Sequence, residues 1–303
     1  MKQAFYSNGK LLVTGEYLVL DGAVALALPT KMGQDLTVEE GTGRELQWKS
    51  FDHDGSIWFS GTIAYESILQ KEHFATDRIK DTLAAILHEA SRMNPKLLED
   101  TQGFKISTSL TFPRLWGLGT SSTLINNIAQ WFGIDAFELL KNSFGGSGYD
   151  IANAQNSTPI LYRLENKKPI VVSAPFNPSF SEQLYFVYLN KKQDSSRAIA
   201  SYREKQKNIS GAVAAIDAAT HAILAAADLE TFQEAMLEHE RIMSAVLGIK
   251  TVQQALFPDF AGCIKSLGAW GGDFILAASK EDPADYFKSR GFGTILHYRE
   301  MIL

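Results

Sequence analysis

Residues 113–123 read PRLWGLGTSST and stand directly before an apolar periodic segment, residues 124–132. The closely spaced Gly117 and Gly119 let backbone N–H groups approach an oxyanion, and a helix that follows them points its positive end at the same place. The hydroxyl groups of residues 120–123 can cap that helix or bind a metal ion held by phosphate. No Gly-Lys-Ser/Thr follows, so this is not a Walker loop. The pattern indicates a phosphate-binding loop or an ordinary, well-capped strand-to-helix turn.

Three further glycine-containing stretches accompany this loop. They read SNGKLLVTGEYLVLDG at residues 7–22, GSGYD at residues 146–150 and SLGAWGGDF at residues 266–274. In this order and at these separations, the four stretches resemble the motifs of the GHMP kinases, which include galactokinase, homoserine kinase, mevalonate kinase and phosphomevalonate kinase. The resemblance covers residues 7–278, which is nearly the whole chain.

The resemblance implies an α+β class and a two-domain GHMP kinase fold. A ribosomal-protein-like N-terminal α/β domain that binds ATP is expected over residues 1–176, and a ferredoxin-like C-terminal domain over residues 177–303. Pro175, Asn177 and Pro178 mark this boundary in the sequence, because they interrupt regular structure. The length of 303 residues also favours two packed domains over one core.

Composition limits the classes of partner. The content of 45% hydrophobic and 21% charged residues is ordinary for a globular protein, and a net charge of −5 leaves no basic footprint for nucleic acid. No apolar run is long enough to span a bilayer, and no signal-peptide core follows the first residues. The single cysteine, Cys263, excludes an internal disulfide and is expected to be buried. We expect a cytoplasmic monomer or homodimer without nucleic-acid or membrane partners.

Hydrophobic periodicity predicts the secondary structure. The predicted helices are residues 76–93, 121–132, 136–141, 149–155, 196–205, 212–226, 229–247 and 283–290. The predicted strands are residues 10–13, 23–28, 35–39, 46–51, 57–60, 103–112, 160–164, 170–173, 184–189, 272–278 and 294–298.

Asp150 is the candidate catalytic residue. Gly145, Gly146 and Gly148 crowd the backbone before it, as though a helix start must enter a tight site. A carboxylate near a helix N-terminus stays ionised and can orient an alcohol or accept its proton. A plain helix-capping role is the alternative. By the resemblance, Lys10 is the electrostatic partner of Asp150 and stabilises charge on the transferred phosphoryl group; otherwise it is a solvated lysine at a strand edge.

The nucleotide and metal sites also follow from the resemblance, which implies ATP and Mg²⁺ as cofactors. The loop residues assigned to the nucleotide are Trp116, Gly117, Leu118, Gly119, Thr120, Ser121 and Ser122. Ser121 matches the family's metal-contacting serine, whereas Ser122 and Thr123 replace two alanines. A second ligand should be a carboxylate, because hard cations prefer oxygen ligands. Glu138, twelve residues before Asp150, has about the family's separation; the alternative is a solvated helix glutamate.

The acceptor is expected to be a small anion. Lys192 and Arg197 lie where relatives have a substrate loop and suit a carboxylate or phosphate, or else form a solvated turn. Asp273 and Tyr17 resemble the phosphomevalonate kinase version of their motifs. Trp270 replaces a glycine, which is costly if that position needs a positive φ angle. The residues assigned to the acceptor are Glu16, Tyr17, Lys192, Ser196, Arg197, Gly268, Trp270, Gly271, Gly272 and Asp273.

Two classes of function remain open. The first is an ATP-dependent kinase of the mevalonate pathway that acts on phosphomevalonate or, as the alternative, on mevalonate. The second is a catalytically reduced paralogue that binds a metabolite or a protein. Lys10, Ser121 and Asp150 together favour the first class, and Trp270 and the altered Ser122 and Thr123 favour the second. The six histidines lack metal-ligand spacing and are expected at the surface or in helix packing.

Overall fold

The computed structural model describes residues 2–99, 102–193, 195–205 and 209–303, without the side chains of Ser195, Ser196 and Lys205. The predicted acceptor residue Ser196 therefore has a side chain outside the described part of the chain. The strands are β1 (Lys2–Leu12), β2 (Ala25–Glu40), β3 (Glu45–Phe51), β4 (Ile57–Ala64), β5 (Phe104–Leu110), β6 (Ile160–Glu165), β7 (Lys168–Ser173), β8 (Leu184–Tyr188), β9 (Cys263–Ser266), β10 (Phe274–Ala278) and β11 (Ile295–His297).

The helices follow the hydrophobic periodicity and are closed by local capping groups. They are α1 (Tyr65–Leu69), α2 (Arg78–Met93), α3 (Lys96–Glu99), α4 (Thr120–Phe132), α5 (Ala136–Ser143), α6 (Tyr149–Ala154), α7 (Ser195–Lys205), α8 (Ser210–Ala225), α9 (Leu229–Leu247), α10 (Val252–Leu256), α11 (Ala284–Ser289) and α12 (Tyr298–Met301). Short 3₁₀ turns lie at Leu18–Asp21, Arg114–Trp116 and Ser181–Gln183.

The first compact unit comprises residues 1–9, 32–114 and 118–155. Its sheet has the order β4-β3-β5-β2, with β3 parallel to β5 and the other neighbours antiparallel. In β5 the side chains alternate between buried and less buried positions, with Ile106, Thr108 and Leu110 buried. Helices α2, α4, α5 and α6 pack together in this unit. Their apolar faces form a core with the sheet that includes Trp48 and Ile128.

The second compact unit comprises residues 10–31, 115–117 and 156–303. It contains an antiparallel sheet of order β11-β8-β10-β9, and also β6 paired with β7 and with residues 25–27 of β2. Helix α9 packs against both α8 and β9. The α+β class is confirmed by these two units. The boundary predicted after residue 176 stays a prediction.

The N-terminal strands and several short elements differ from the sequence prediction. The runs at residues 23–28 and 35–39 are parts of one strand, β2, because Gly33 does not break it. A Cβ atom on Gly33 would overlap the Ser7 carbonyl, so the glycine permits a close approach of two backbones. The prediction missed α1, α3, α10, β9 and α12, which are five residues or shorter. In the described residues, no helix is long and apolar enough to cross a membrane.

Candidate functional site

The glycine loop leads directly into α4. Gly117 and Gly119 have φ angles of 71° and 99°, which glycine adopts without steric cost, and Gly119 is the N-cap. The hydroxyls of Ser122 and Thr123 lie 2.9 and 3.0 Å from the Gly119 carbonyl, to which each can donate. Ser121 is exposed, and no described residue forms a hydrogen bond with its hydroxyl. The serine and threonine that replace alanines therefore stabilise the first turn, and Ser121 remains available to a ligand.

A buried network of amides and hydroxyls fixes α4 in the first unit. This amide–hydroxyl network consists of Ser7, Gln34, Thr123, Asn126 and Asn127. Thr123 Oγ1 lies 2.7 Å from Gln34 Oε1, Asn127 Nδ2 donates to the Gln34 carbonyl at 2.9 Å, and Asn126 Nδ2 donates to Ser7 Oγ at 2.8 Å. Sequence reasoning missed this network, although two adjacent asparagines in an apolar helix were a usable signal.

Asp150 is the second residue of α6 in the same unit. The N-cap Gly148 has a φ angle of 91°, and Gly145 and Gly146 also have positive φ angles, so the three glycines shape the approach to the helix. Asn153 of α6 donates from Nδ2 to the Gly9 carbonyl at 3.1 Å. This bond ties the helix that carries Asp150 to the part of β1 directly before Lys10 in the sequence.

In the second unit, Asp273 connects three of the predicted motifs. A Cβ atom on Gly117 would overlap the Asp273 carboxylate, so only glycine fits at that point of the loop. The backbone N–H of Gln193 donates to Asp273 Oδ1 at 3.1 Å. Burial raises the pKa of Asp273, and the hydrogen bond from Gln193 and the charges of Lys10 and Lys192 oppose that rise. The structure therefore brings Lys10, Gly117, Lys192 and Asp273 together.

Trp116 attaches the glycine loop to the antiparallel sheet of the second unit. Its ring meets Phe274 edge-on at a centroid distance of 5.3 Å and lies 6.2 Å from the ring of Tyr188. The Tyr188 hydroxyl donates to the Leu115 carbonyl at 3.0 Å. These contacts occupy part of the Trp116 ring within the protein.

Trp270 does not have the strained backbone that a replaced glycine suggested. Gly268, Gly271 and Asp273 have positive φ angles, and Trp270 is not among the residues that do. Its side chain is 4% exposed and packs with Leu18, Tyr202 and neighbouring apolar residues. Its carbonyl accepts a 2.7 Å hydrogen bond from Gln193 Nε2. The cost expected for tryptophan is absent because the glycines on either side make the turn.

Tyr17 has a strained backbone. Its φ and ψ angles are 60° and −50°, and the N–H of Leu18 donates to the Glu16 carbonyl at 2.6 Å. This is a γ-turn of the rare, strained kind, which persists only where the surroundings enforce it and which is found at functional sites. The ring of Tyr17 lies 5.4 Å from that of Tyr202. Tyr17, Tyr202 and Trp270 line a cavity of about 160 Å³, together with Ala198, Ser201, Val246, Leu247 and Ile249.

Buried charges hold the residue before this turn. This charged cluster consists of Glu16, His239, Glu240 and Lys265, all at most 2% exposed. Lys265 Nζ lies 2.7 Å from Glu16 Oε1 and 3.6 Å from Glu240 Oε1. His239 Nε2 accepts the N–H of Gly15 at 3.2 Å and lies 3.3 Å from Glu16 Oε2. The cluster thus fixes Gly15 and Glu16, directly before the strained Tyr17.

The charged cluster contains two buried carboxyls and one lysine. Because the lysine can neutralise only one negative charge, protonation of a carboxyl is favoured. Burial raises the pKa of Glu16 and that of Glu240 to about 7, and Lys265 opposes both shifts. Burial and the Lys265 charge lower the pKa of His239. Glu16 Oε2 lies 3.3 Å from His239 Nε2 and has no hydrogen-bond partner among the described residues. Sequence reasoning missed Glu240 and Lys265 and placed the histidines only generally.

Three of the remaining predicted residues, Glu138, Lys192 and Arg197, are at the surface. Glu138 is exposed in the first turn of α5, and no hydrogen bond with a described residue joins it to Ser121. Among the described residues, no three His, Cys, Asp or Glu side chains form a group able to hold a metal ion. Lys192 and Arg197 are exposed. Cys263 is buried as expected, and burial raises the pKa of its thiol to about 12.

Comparison with known proteins identifies the fold. Neither the known protein-family models nor the curated protein sequences contain a match. Among solved structures, mevalonate kinase from Methanococcus jannaschii has a TM-score of 0.71 at 16% identity, with 98% of this chain and 97% of that chain covered. Streptococcus pneumoniae phosphomevalonate kinase, in complex with phosphomevalonate and AMPPNP, has a TM-score of 0.70 at 14% identity, with 97% and 99% covered.

A third similar structure is a kinase named for a different acceptor. Lactococcus lactis galactokinase, in complex with galactose, has a TM-score of 0.68 at 11% identity, with 98% of this chain and 92% of that chain covered. The three solved proteins are a mevalonate kinase, a phosphomevalonate kinase and a galactokinase, so what this chain shares with all of them is the architecture. The resemblance seen in the four sequence motifs is confirmed at that level: this chain has the two-domain fold of the GHMP kinases.

Proposed function

We propose that this protein is an ATP-dependent kinase that phosphorylates a small, branched anionic acceptor of the phosphomevalonate type. The observation that carries the proposal is the convergence of Lys10, Gly117 and Lys192 around Asp273. Four segments far apart in sequence meet there, and two of them supply a cation each, Lys10 and Lys192. Phosphoryl transfer depends mainly on positioning and on neutralising phosphate charge, which such a cluster can provide.

In this proposal the glycine loop and the start of α4 bind the phosphates of ATP. Backbone N–H groups of Trp116–Ser121 face the anion, and the amide–hydroxyl network keeps the helix in place. Asp150 orients the attacking oxygen of the acceptor, accepting its proton where that oxygen belongs to a hydroxyl, and Lys10 stabilises charge on the transferred group. Glu16 acts through Tyr17, because its own carboxylate is held by Lys265 and His239.

The residues fit a Mg²⁺ ion bound jointly with phosphate. Ser121 has an exposed hydroxyl that no described residue uses, and Glu138 has an exposed carboxylate. Mg²⁺ needs only one or two protein oxygens when phosphates supply others. When bound, the ion would neutralise charge on the transferred phosphoryl group.

The cavity beside Tyr17 favours a branched acid over a sugar. Its described lining is mostly apolar, with Ser201 and the tyrosine hydroxyls as the polar groups. A sugar has a hydroxyl on most carbons, and each one buried without a partner weakens binding. A branched hydroxy acid can place its alkyl part there and direct its anionic end to Lys192 and Arg197.

The test is ADP release with phosphomevalonate, mevalonate, homoserine and galactose as acceptors. The proposal predicts the highest kcat/KM for phosphomevalonate. A preference for mevalonate would leave the kinase assignment and remove the phosphate requirement. Turnover with none of them, together with tight binding of one, would favour the reduced paralogue instead.

Arg197→Ala tests the anionic end of the acceptor. We expect it to lower kcat/KM for phosphomevalonate by about tenfold and for mevalonate by less, because the former has an additional dianionic group to pair. Arg203→Ala, on the same helix and also exposed, is the matched control. Equal effects on both acceptors would show that Arg197 does not recognise the phosphate.

A further inference from the structure

A second cavity borders the Trp270 loop in the second unit and shares Ile249 and Trp270 with the cavity beside Tyr17. Its volume is about 310 Å³, at the lower end of the range of small-molecule sites. Trp270 lines both this cavity and the smaller one beside Tyr17, whereas Tyr17 lines only the smaller one. None of the proposed steps of phosphoryl transfer uses this larger space.

The lining of the second cavity combines apolar surface with positive charge. Its apolar part includes Ile249, Leu256 and Phe292, and the first two are 45% and 50% exposed. Lys191 and Lys250 also line it, and no acidic side chain does so among the described residues. Neither lysine forms an ion pair with a described residue. Exposed aliphatic side chains beside unpaired cations are suited to a ligand that is apolar at one end and anionic at the other.

The adjacent lysines of residues 191–197 have separate surroundings. Lys192 contributes to the electrostatics of Asp273, whereas Lys191 lines the second cavity. The backbone N–H of Asp273 donates to the Lys191 carbonyl at 2.6 Å. This hydrogen bond fixes the backbone at Lys191. Two adjacent lysines therefore supply one cation to the second cavity and one to the surroundings of Asp273.

Trp270 provides an independent sign of an absent partner. Its indole N–H is buried and has no hydrogen-bond acceptor among the described residues. Buried indole N–H groups in folded proteins usually have a partner, so an unsatisfied one calls for a water molecule or a ligand group. Trp270 is one of the residues that line the second cavity.

We propose that the cavity lined by Lys191, Lys250, Ile249, Leu256 and Trp270 is a second ligand site that binds an amphipathic anion. The two ammonium groups hold the carboxylate or phosphate of the ligand, and its hydrocarbon part covers Ile249 and Leu256. Binding there brings the ligand into contact with Trp270, which also borders the proposed acceptor cavity.

The test uses the fluorescent anion 1-anilino-8-naphthalenesulfonate with the full-length protein. We expect saturable binding that weakens with salt, because unpaired surface cations are screened. The double variant Lys191→Ala/Lys250→Ala should weaken binding about tenfold, the effect of losing about 1.4 kcal/mol. Ala255→Phe, which fills the cavity and keeps both charges, should weaken it as strongly. Lys141→Ala, an exposed lysine of α5, is the control and should bind as wild type does.

Displacement then identifies the ligand head group. Decanoate, decyl phosphate and decanol are titrated against the bound probe. Displacement by either anion and not by decanol supports the site and shows which head group it prefers. Wild-type affinity in both the lysine double variant and Ala255→Phe, or displacement by decanol as strong as by the anions, would overturn the proposal.

Discussion

Two buried polar networks each hold a loop, one in the first unit and one in the second, and they differ in charge. The amide–hydroxyl network around Asn127 fixes the start of α4 with neutral groups that hydrogen-bond one another. The charged cluster around Lys265 fixes the turn at Tyr17 with two carboxyls, one lysine and one histidine. A neutral network gives a support that is independent of pH. The charged cluster gives a support that depends on which of its members holds a proton.

The comparison shows how each unit orders a strained or glycine-rich segment. Next to α4, glycines supply the positive φ angles, and hydrogen bonds of ordinary strength suffice to hold the helix. At Tyr17 a non-glycine residue has a φ angle of 60°, which is strained. The neighbouring residue Glu16 is held by buried ion pairs, and such pairs are strongly destabilised when one partner is removed. We expect the second region to respond more strongly to substitution and to pH than the first.

Lys265→Met should have the largest effect on stability. It leaves Glu16 and Glu240 buried without their cation, and removing one partner from a buried ion pair costs about 3–5 kcal/mol. The loss should be greater at pH 8 than at pH 5, because both carboxyls can take up a proton at the lower pH. Chemical denaturation at both pH values measures it. Lys280→Met, at an exposed lysine, is the control. Equal losses for the two variants would contradict the role of the cluster.

Thr123→Val should destabilise the protein by about 1–3 kcal/mol, because it leaves Gln34 Oε1 buried without a partner. The loss should be the same at pH 5 and pH 8, since the amide–hydroxyl network contains no titrating group. Ser122→Ala removes only a hydrogen bond to Gly119 and should cost less. A pH-dependent loss for Thr123→Val would refute the contrast between the two networks.

Glu240→Gln should be more stable than wild type by about 1–2 kcal/mol at pH 8 and about equal to it at pH 5. The folded-state pKa of Glu240 is raised from 4.5 to about 7. This carboxyl is therefore protonated in both states below pH 4.5, and its unfavourable charge develops as the pH rises to about 7. His239 acts oppositely, because its pKa is lowered and stability rises with pH up to about 6.5. His239 is present in both proteins, so its contribution cancels when the stability of wild type is subtracted from that of the variant. An unchanged difference across pH would mean that Glu240 is ionised throughout.

Ser121→Ala should have the smallest effect on stability, below about 1 kcal/mol, because the N-cap is Gly119 and other hydroxyls stabilise the turn. Its effect should appear in the Mg²⁺ concentration required for activity. Loss of thermal stability without a change in Mg²⁺ dependence would assign Ser121 to helix capping alone.

Much of the architecture could be predicted because it is encoded locally. The predicted helix at residues 229–247 coincides with α9, and the alternating pattern before the glycine loop is β5. The motif order was sufficient to indicate the family fold. Strand β9 was missed because two of its four residues, Lys265 and Ser266, are polar, and a buried lysine cannot be told from a surface one without its partners.

Site residues could be predicted only where their residue type and their spacing along the sequence match a motif. Gly117 and Asp273 were assigned from separate motifs, and their close packing depends on contacts across more than 150 residues that a sequence pattern does not encode. The same holds for Glu16 and Lys265. The backbone conformation of Trp270 could not be predicted for another reason. The glycines near it, Gly268 and Gly271, could adopt the positive φ angles in its place.

The most direct test of the central claim is the rate of ADP release with phosphomevalonate as acceptor in wild type and in Asp150→Asn. The account predicts turnover by wild type and a loss of kcat of about 10²-fold or more in the variant, because the carboxylate that positions the attacking oxygen of the acceptor is gone. ATP affinity, measured by calorimetry, should change little. An Asp150→Asn variant with near-native kcat and native stability would contradict the account.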